Sequence, residues 1–264
     1  MIRVLIGIPA SLMALSLLLV LLLLLFDFPP WPSANNLSLA WPFLVRAFVF
    51  ALVTASGQVC LGLLAALSVL WLARTKKSQL ALITVFLIPY AIPASVIGLA
   101  FRFAIGPQSA WAQFTSPLLG VPPNFWLYQH AFEAAVLAST WQFFPFAFLL
   151  SYLGLRTTPR AVLQAAQMDG APFTRTTLMV VLARILPVIM AIFALRLAFM
   201  LVKFDTPFVF TEMIASGDDV ATIELWRTIA GSTSPELNII AWCLQITSFL
   251  LSLGYLAARR EGAD

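Results

Sequence analysis

Thr158-Pro159-Arg160-Ala161-Val162-Leu163-Gln164-Ala165-Ala166-Gln167-Met168-Asp169-Gly170-Ala171 stands between two apolar runs, about Tyr128–Leu155 before it and about Ile185–Val202 after it. Each run approaches the ~20 residues with which a helix crosses a bilayer. The polar stretch from Arg156 to Arg184 that holds this segment carries four arginines. It is too long for a tight turn and too regular for a disordered loop, so short helices are expected in it.

Working outward, further apolar runs cover about Phe43–Leu72, about Leu80–Gly106 and about Leu237–Ala258, and a first run covers Val4–Phe26. The first run is too long for a secretory signal, whose apolar part has ~7–15 residues, and it ends in the rigid Phe28-Pro29-Pro30-Trp31-Pro32 turn. The third run contains Pro89 and Pro93, which predict a kink or a broken backbone supported by neighbouring helices. Residues 107–125 carry Pro117, Pro122 and Pro123 without Lys or Arg and are expected to form an external loop. The pattern therefore predicts an all-α integral membrane protein with six transmembrane helices. Residues 1–42 hold the first helix and its outer loop, 43–258 the core with a cytoplasmic loop at about 156–184, and 259–264 a tail.

Composition agrees, since 61% of the 264 residues are hydrophobic and only 10% charged, with a mean hydropathy of +0.97. The net charge of +4 is scattered among loops without a basic stripe, which argues against a nucleic-acid partner. The charge encodes topology instead. With the amino terminus inside, Arg3, Arg74, Lys76, Lys77, Arg156, Arg160, Arg175, Arg184, Arg259 and Arg260 collect on the inner side, and the outer loops keep Arg227. Both termini are expected in the cytoplasm of a bacterial cell, with the chain in its cytoplasmic (inner) membrane. Cys60 and Cys243 lie within apolar runs without metal-ligand neighbours, so no metal site is expected.

The quoted segment resembles the cytoplasmic loop of ABC importer permeases, whose signature is Glu-Ala-Ala-x-x-x-Gly followed by a short apolar-Leu-Pro ending. In that family the loop forms the coupling helix that docks in a groove of the ATPase. Small residues at Ala165, Ala166, Gly170 and Ala171 suit a close backbone approach, Gly170 permits a sharp change of direction, and Asp169 suits the cap of a following helix. Gln164 replaces the usual glutamate, which removes a salt bridge but leaves an amide acceptor, and Ala183 replaces a usual proline. Asp169-Gly170-Ala171 resembles the sugar-importing branch of maltose-transporter-like permeases. So do Phe204-Asp205-Thr206-Pro207-Phe208-Val209-Phe210-Thr211 and Thr222-Ile223-Glu224-Leu225-Trp226, while Trp141 to Leu155, leading into Arg156 and Pro159, is similar to the fourth helix of the permease family and its approach to the loop. The likeness covers roughly Phe43 to Arg260.

The resemblance implies the type I importer fold, with the coupling helix between the fourth and fifth spans carrying Gln164, Ala165, Ala166, Asp169, Gly170 and Ala171 as ATPase-coupling residues. It implies a homologous second permease subunit, an ATPase dimer that holds ATP and Mg, and an extracytoplasmic solute-binding protein facing Asp205, Thr206, Phe208 and Thr211. The chain has no phosphate-binding Gly-x-x-x-x-Gly-Lys-Ser/Thr loop and no catalytic constellation, so it is expected to bind no cofactor itself and to be a transporter subunit rather than an enzyme. A permease for polyamine, phosphonate or metal chelate stays open as an alternative, as does a membrane scaffold or receptor subunit without transport.

At about 1.5 Å per residue, Arg196, Gln142, Gln245 and Gln58 fall near mid-membrane. With Trp141 and Phe144 they form a candidate substrate cavity, since aromatic faces and amide or guanidinium donors suit a sugar. Structural pairing of Arg196 and ordinary lipid or packing roles for the aromatic residues remain open beside it. Arg102 and Glu133 are expected at similar height as a candidate ion pair. Lys203 and Asp205 suit either a docking protein or interfacial solvation.

Overall fold

The computed structural model describes residues 34–73, 75–170, 172, 182–210 and 223, with helices and connecting segments and no strand among the described residues. The expected spans Val4–Phe26 and Leu237–Ala258 lie outside the described residues, as do Ala171, Thr211 and Gln245. In chain order the helices are α1 (Ala34–Leu72), α2 (Lys76–Ala91), α3 (Ala94–Ile105), α4 (Ala110–Leu119), α5 (Phe125–Gln129), α6 (Ala131–Arg156), α7 (Arg160–Met168), α8 (Leu182–Leu201) and α9 (Asp205–Phe208). Among the described residues three helices are long and apolar enough to cross a membrane, within α1, α6 and α8, and the bent pair α2 with Ala94–Leu119 makes a fourth if it counts as one span.

α6 is the pillar on which α1, α2, α3, α8 and α9 pack. Its companion α1 buries Ala47, Phe50, Ala51, Thr54, Ala55, Gln58, Val59, Gly62, Ala65, Ala66 and Val69, a stripe at helical spacing, while Phe48, Leu52, Leu61 and Leu64 stay exposed. Lipid removes the hydrophobic drive between helices, so small residues that let backbones approach supply the association. Gly62 shows the limit of this: a β-carbon there would stand 2.5 Å from the Phe148 amide nitrogen and 2.7 Å from the Ala147 carbonyl carbon.

The expected interruption of the third span falls at one of its two prolines. Ile92 is pushed into the extended region (φ −90°, ψ 133°) by the ring of Pro93, which also supplies no N–H, and the axes of α2 and Ala94–Leu119 meet at 90°. Pro89 remains inside α2 and is buried. Residues 107–125, expected as a loop, contain a helix instead: Ser109 caps α4 by accepting from the Ala112 amide at 3.0 Å, and Gly120 ends it in the left-handed region at φ 66°. Pro117 sits within α4 and Pro122 and Pro123 follow it, so proline content alone misjudged the segment. α1 begins before Pro42 rather than after it, and α6 begins at Ala131 because the chain breaks at His130 after α5.

Candidate functional site

The segment between α6 and α8 contains the expected helix as α7. Thr157 and Thr158 fold back on the last turn of α6, where the Thr157 hydroxyl donates to Gly154 O at 2.7 Å and the Thr158 amide to Leu155 O at 3.3 Å. Pro159 then leads into α7, and Gly170 follows it at φ +70°, a conformation costly for residues with a β-carbon. Ala161, Gln164, Ala165 and Met168 recur at i, i+3, i+4 and i+7 and line an open depression of ≈550 Å³. All of them are exposed, Met168 at 88%. Asp169 is exposed at the end of α7, and what it would cap lies outside the described residues. Ala166 lies on α7.

At mid-membrane the structure brings Gln58 and Arg196 together, but inside the packing rather than on an open cavity. Arg196 on α8 is 4% exposed, and its Nε donates to Gln58 Oε1 at 2.6 Å. Gln58 in turn donates through Nε2 to the Ser139 carbonyl of α6 at 3.0 Å, so this chain ties three helices. The guanidinium also lies over Phe143 at 4.9 Å, Phe146 at 5.5 Å and Phe199 at 5.8 Å. No carboxylate pairs with it among the described residues.

Gln142, also expected to line the cavity, is buried and donates to Ile92 O at 3.1 Å, satisfying a carbonyl at the break between α2 and α3. Its Oε1 faces the Thr206 hydroxyl at 3.5 Å. Trp141 and Phe144 do not share a face with it. Phe144 packs against Phe86, while Trp141, 39% exposed, lies against Phe101. Of the candidate cavity residues described, Trp141 alone is exposed.

The outer segment divides in the same way. Thr206, expected to face a docking protein, is fully buried, its carbonyl 3.5 Å from where a β-carbon on Gly98 of α3 would stand. Asp205 is exposed and pairs with Lys203. Burial lowers the Lys203 ammonium below the usual lysine range, opposed by the hydrogen bond and charge of Asp205. Phe208 is half-buried and stacks on Phe204 at 4.9 Å. The expected Arg102–Glu133 pair does not form: Arg102 donates to Val209 O at 3.1 Å, while Glu133 lies 3.6 Å from His130. No group of His, Cys, Asp and Glu suited to a metal occurs among the described residues.

One polar junction went unread in the sequence. The Tyr152 hydroxyl of α6 accepts from Gln79 of α2 and from Arg156 Nη1, the latter at 3.0 Å. Tyr152 and Arg156 are four apart on one helix, a legible spacing, but Gln79 lies 73 residues away and gave no local signal.

A broken span packed on a central helix, with an exposed amphipathic helix at one end, is the architecture of a membrane permease. Residues 58–260 match the family model of the binding-protein-dependent transport system inner membrane component, and the chain belongs to that family. Its fold is that of type I ABC importer permeases. It is similar to a bacterial ABC transporter involved in the import of the acidic polysaccharide alginate, at TM-score 0.66 and 16% identity over 97% of each chain. It is also similar to the methionine ABC transporter in inward-facing conformations, at TM-score 0.60 and 14% identity over 87% of this chain and 99% of the other.

Among named relatives, the trehalose/maltose transport system permease protein of Thermococcus litoralis is 30% identical over 61% of this chain and 55% of its own length. The sulfoquinovosyl glycerol transport system permease protein of Agrobacterium fabrum is 28% identical over 81% and 68%. The trehalose transport system permease protein of Mycobacterium tuberculosis is 30% identical over 65% and 54%. The aligned part of this chain thus spans only about half the length of the first and last of these relatives.

Proposed function

We propose that the chain forms half of the translocation pathway of an ATP-driven importer for a carbohydrate or sugar-like solute. An external binding protein delivers the solute, a second permease completes the pathway, and an ATPase pair carrying ATP and Mg drives alternating access. Both termini face the cytoplasm. The observation that carries this reading is the exposed face of α7. Ala161, Ala165 and Met168 present small and apolar groups around Gln164, all exposed, which suits the close approach of a partner. Gln164 at its centre supplies an uncharged hydrogen-bonding group where the resemblance leads one to look for a glutamate.

The sugar class is supported by the names of the relatives, which are permeases for trehalose/maltose, sulfoquinovosyl glycerol and trehalose. The buried polar centre is assigned to helix association, and solute contacts are left to surfaces that face the second permease. The test is ATPase activity of the whole complex in lipid with its binding protein, across a panel of sugars, comparing the native chain with Gly170→Asp. Hydrolysis stimulated by one sugar, and uncoupled by the substitution, is expected. Indifference to every sugar with a response to a polyamine, phosphonate or metal chelate would overturn the substrate class, and no copurifying ATPase would overturn the permease reading itself.

A further inference from the structure

α2 is tied to α6 at both of its ends. At its start, directly after the Thr75–Ser78 capping box, Gln79 donates to the Tyr152 hydroxyl. At its far end the Ile92 carbonyl accepts from Gln142 at 3.1 Å. Between these ties Phe86 meets Phe148 edge-on at 5.3 Å, and Leu82, Ile83 and Leu87 pack on the cluster of Phe144, Phe148, Tyr152 and Leu155.

The upper tie marks a level at which α2 ends and α6, though continuous, lacks a backbone hydrogen bond. Pro93 breaks α2 from α3, and Pro145 of α6, three residues beyond Gln142, cannot bond the Trp141 carbonyl one turn back. Beyond that level α3 still packs on α6 but also meets the segment after α8, with Gly98 against Val209 and Thr206. The lower tie adjoins α7. Arg156 is the last residue of α6, donates to the same Tyr152 hydroxyl and lies 5.8 Å over its ring, and the short link to α7 is hydrogen-bonded back onto α6.

We infer that Tyr152 is a positioning residue for energy coupling: its hydroxyl joins the seat of α7 to α2, so that α7, the inner half of α6 and α2 move as one body about the level of Pro93 and Pro145. The inference rests on the reading of α7 as the ATPase-docking helix. It assigns the role to the hydroxyl rather than to the ring, which packs against Phe148 whether or not the oxygen is present.

The test uses Tyr152→Phe in the full chain, assembled with its partner subunits in lipid, with Gln79→Leu as a second variant that touches neither α6 nor α7. Basal ATPase activity is expected to stay near that of the native complex while stimulation by the loaded binding protein falls roughly tenfold, with the double variant no worse than either single one. Spin labels at the exposed positions Lys77 and Leu153, with Cys60 and Cys243 replaced by serine, should report one narrow distance in the native chain and a widened distribution in both variants. Native stimulation in Tyr152→Phe, or a loss of basal and stimulated rates in proportion, would overturn the inference, as would unchanged label distances. A native complex whose ATPase ignores the binding protein would overturn the docking reading and with it this role. That failure is distinguishable because the label distances still separate the native chain from the variants.

Discussion

The mid-membrane centre and α7 treat out-of-place residues in opposite ways. Gln58, Gln142 and Arg196 are polar groups in apolar helices, and the fold turns all of them inward onto one another, onto backbone carbonyls and onto aromatic rings. Ala161, Ala165 and Met168 are small or apolar groups in a polar segment, and the fold leaves them facing outward. Residue type marked both regions as unusual. Only the partnering separates an internal tie from a surface that awaits something, because a satisfied polar group needs no ligand whereas an uncovered apolar face does.

Substitutions can break this contrast, and the largest effect on folding belongs to the packing beneath the polar centre. Gly62→Leu would drive a side chain into the backbone of α6 at Ala147 and Phe148, and the expected loss is about 3 kcal/mol or more. Thermal unfolding in lipid-like detergent measures it, and a native melting curve would refute the close α1–α6 approach.

Next in size is the centre itself. Gln58→Leu leaves a buried guanidinium without its acceptor and should destabilise by about 2 kcal/mol, while Arg196→Met strands only an amide oxygen and should cost less. The double variant should fall short of the sum, as coupled partners do. Additive losses, or a changed sugar preference with stability intact, would return these residues to a substrate role.

The smallest folding effect, within about 0.5 kcal/mol, is expected for Ala165→Glu on α7, because that position is exposed among the described residues. Its consequence should appear in copurification instead, with capture of the ATPase lost. A stable complex with full ATPase retention would place docking elsewhere.

How much of this was legible in the sequence follows from the range of the forces involved. The described spans and the short helix between α6 and α8 were readable because hydropathy and helical spacing are local: α7 lies within the expected stretch, and α8 matches its expected limits to within a few residues. The interruption at Pro93 was readable because proline acts on its neighbour. The partnering of Arg196 was not, since Gln58 is 138 residues away and depth along a helix does not specify azimuth. The same ignorance of azimuth grouped Gln142 with Phe144, although two residues along a helix turn their side chains ~200° apart. Thr206 was misread for a further reason, because its burial comes from packing against other helices, where its hydroxyl faces Gln142 and its carbonyl lies near Gly98.

Arg196, held by an amide and three rings with no carboxylate among the described residues, also bears on how the chain is made. A lone arginine at the centre of a helix entering the bilayer costs about 2.5–3.5 kcal/mol at the insertion machinery. The residues that relieve it lie on α1 and α6, and ribosomal synthesis delivers both before α8. The arginine therefore enters beside a waiting acceptor rather than into bare lipid, and the order of synthesis serves as a chaperone for the helix that carries it.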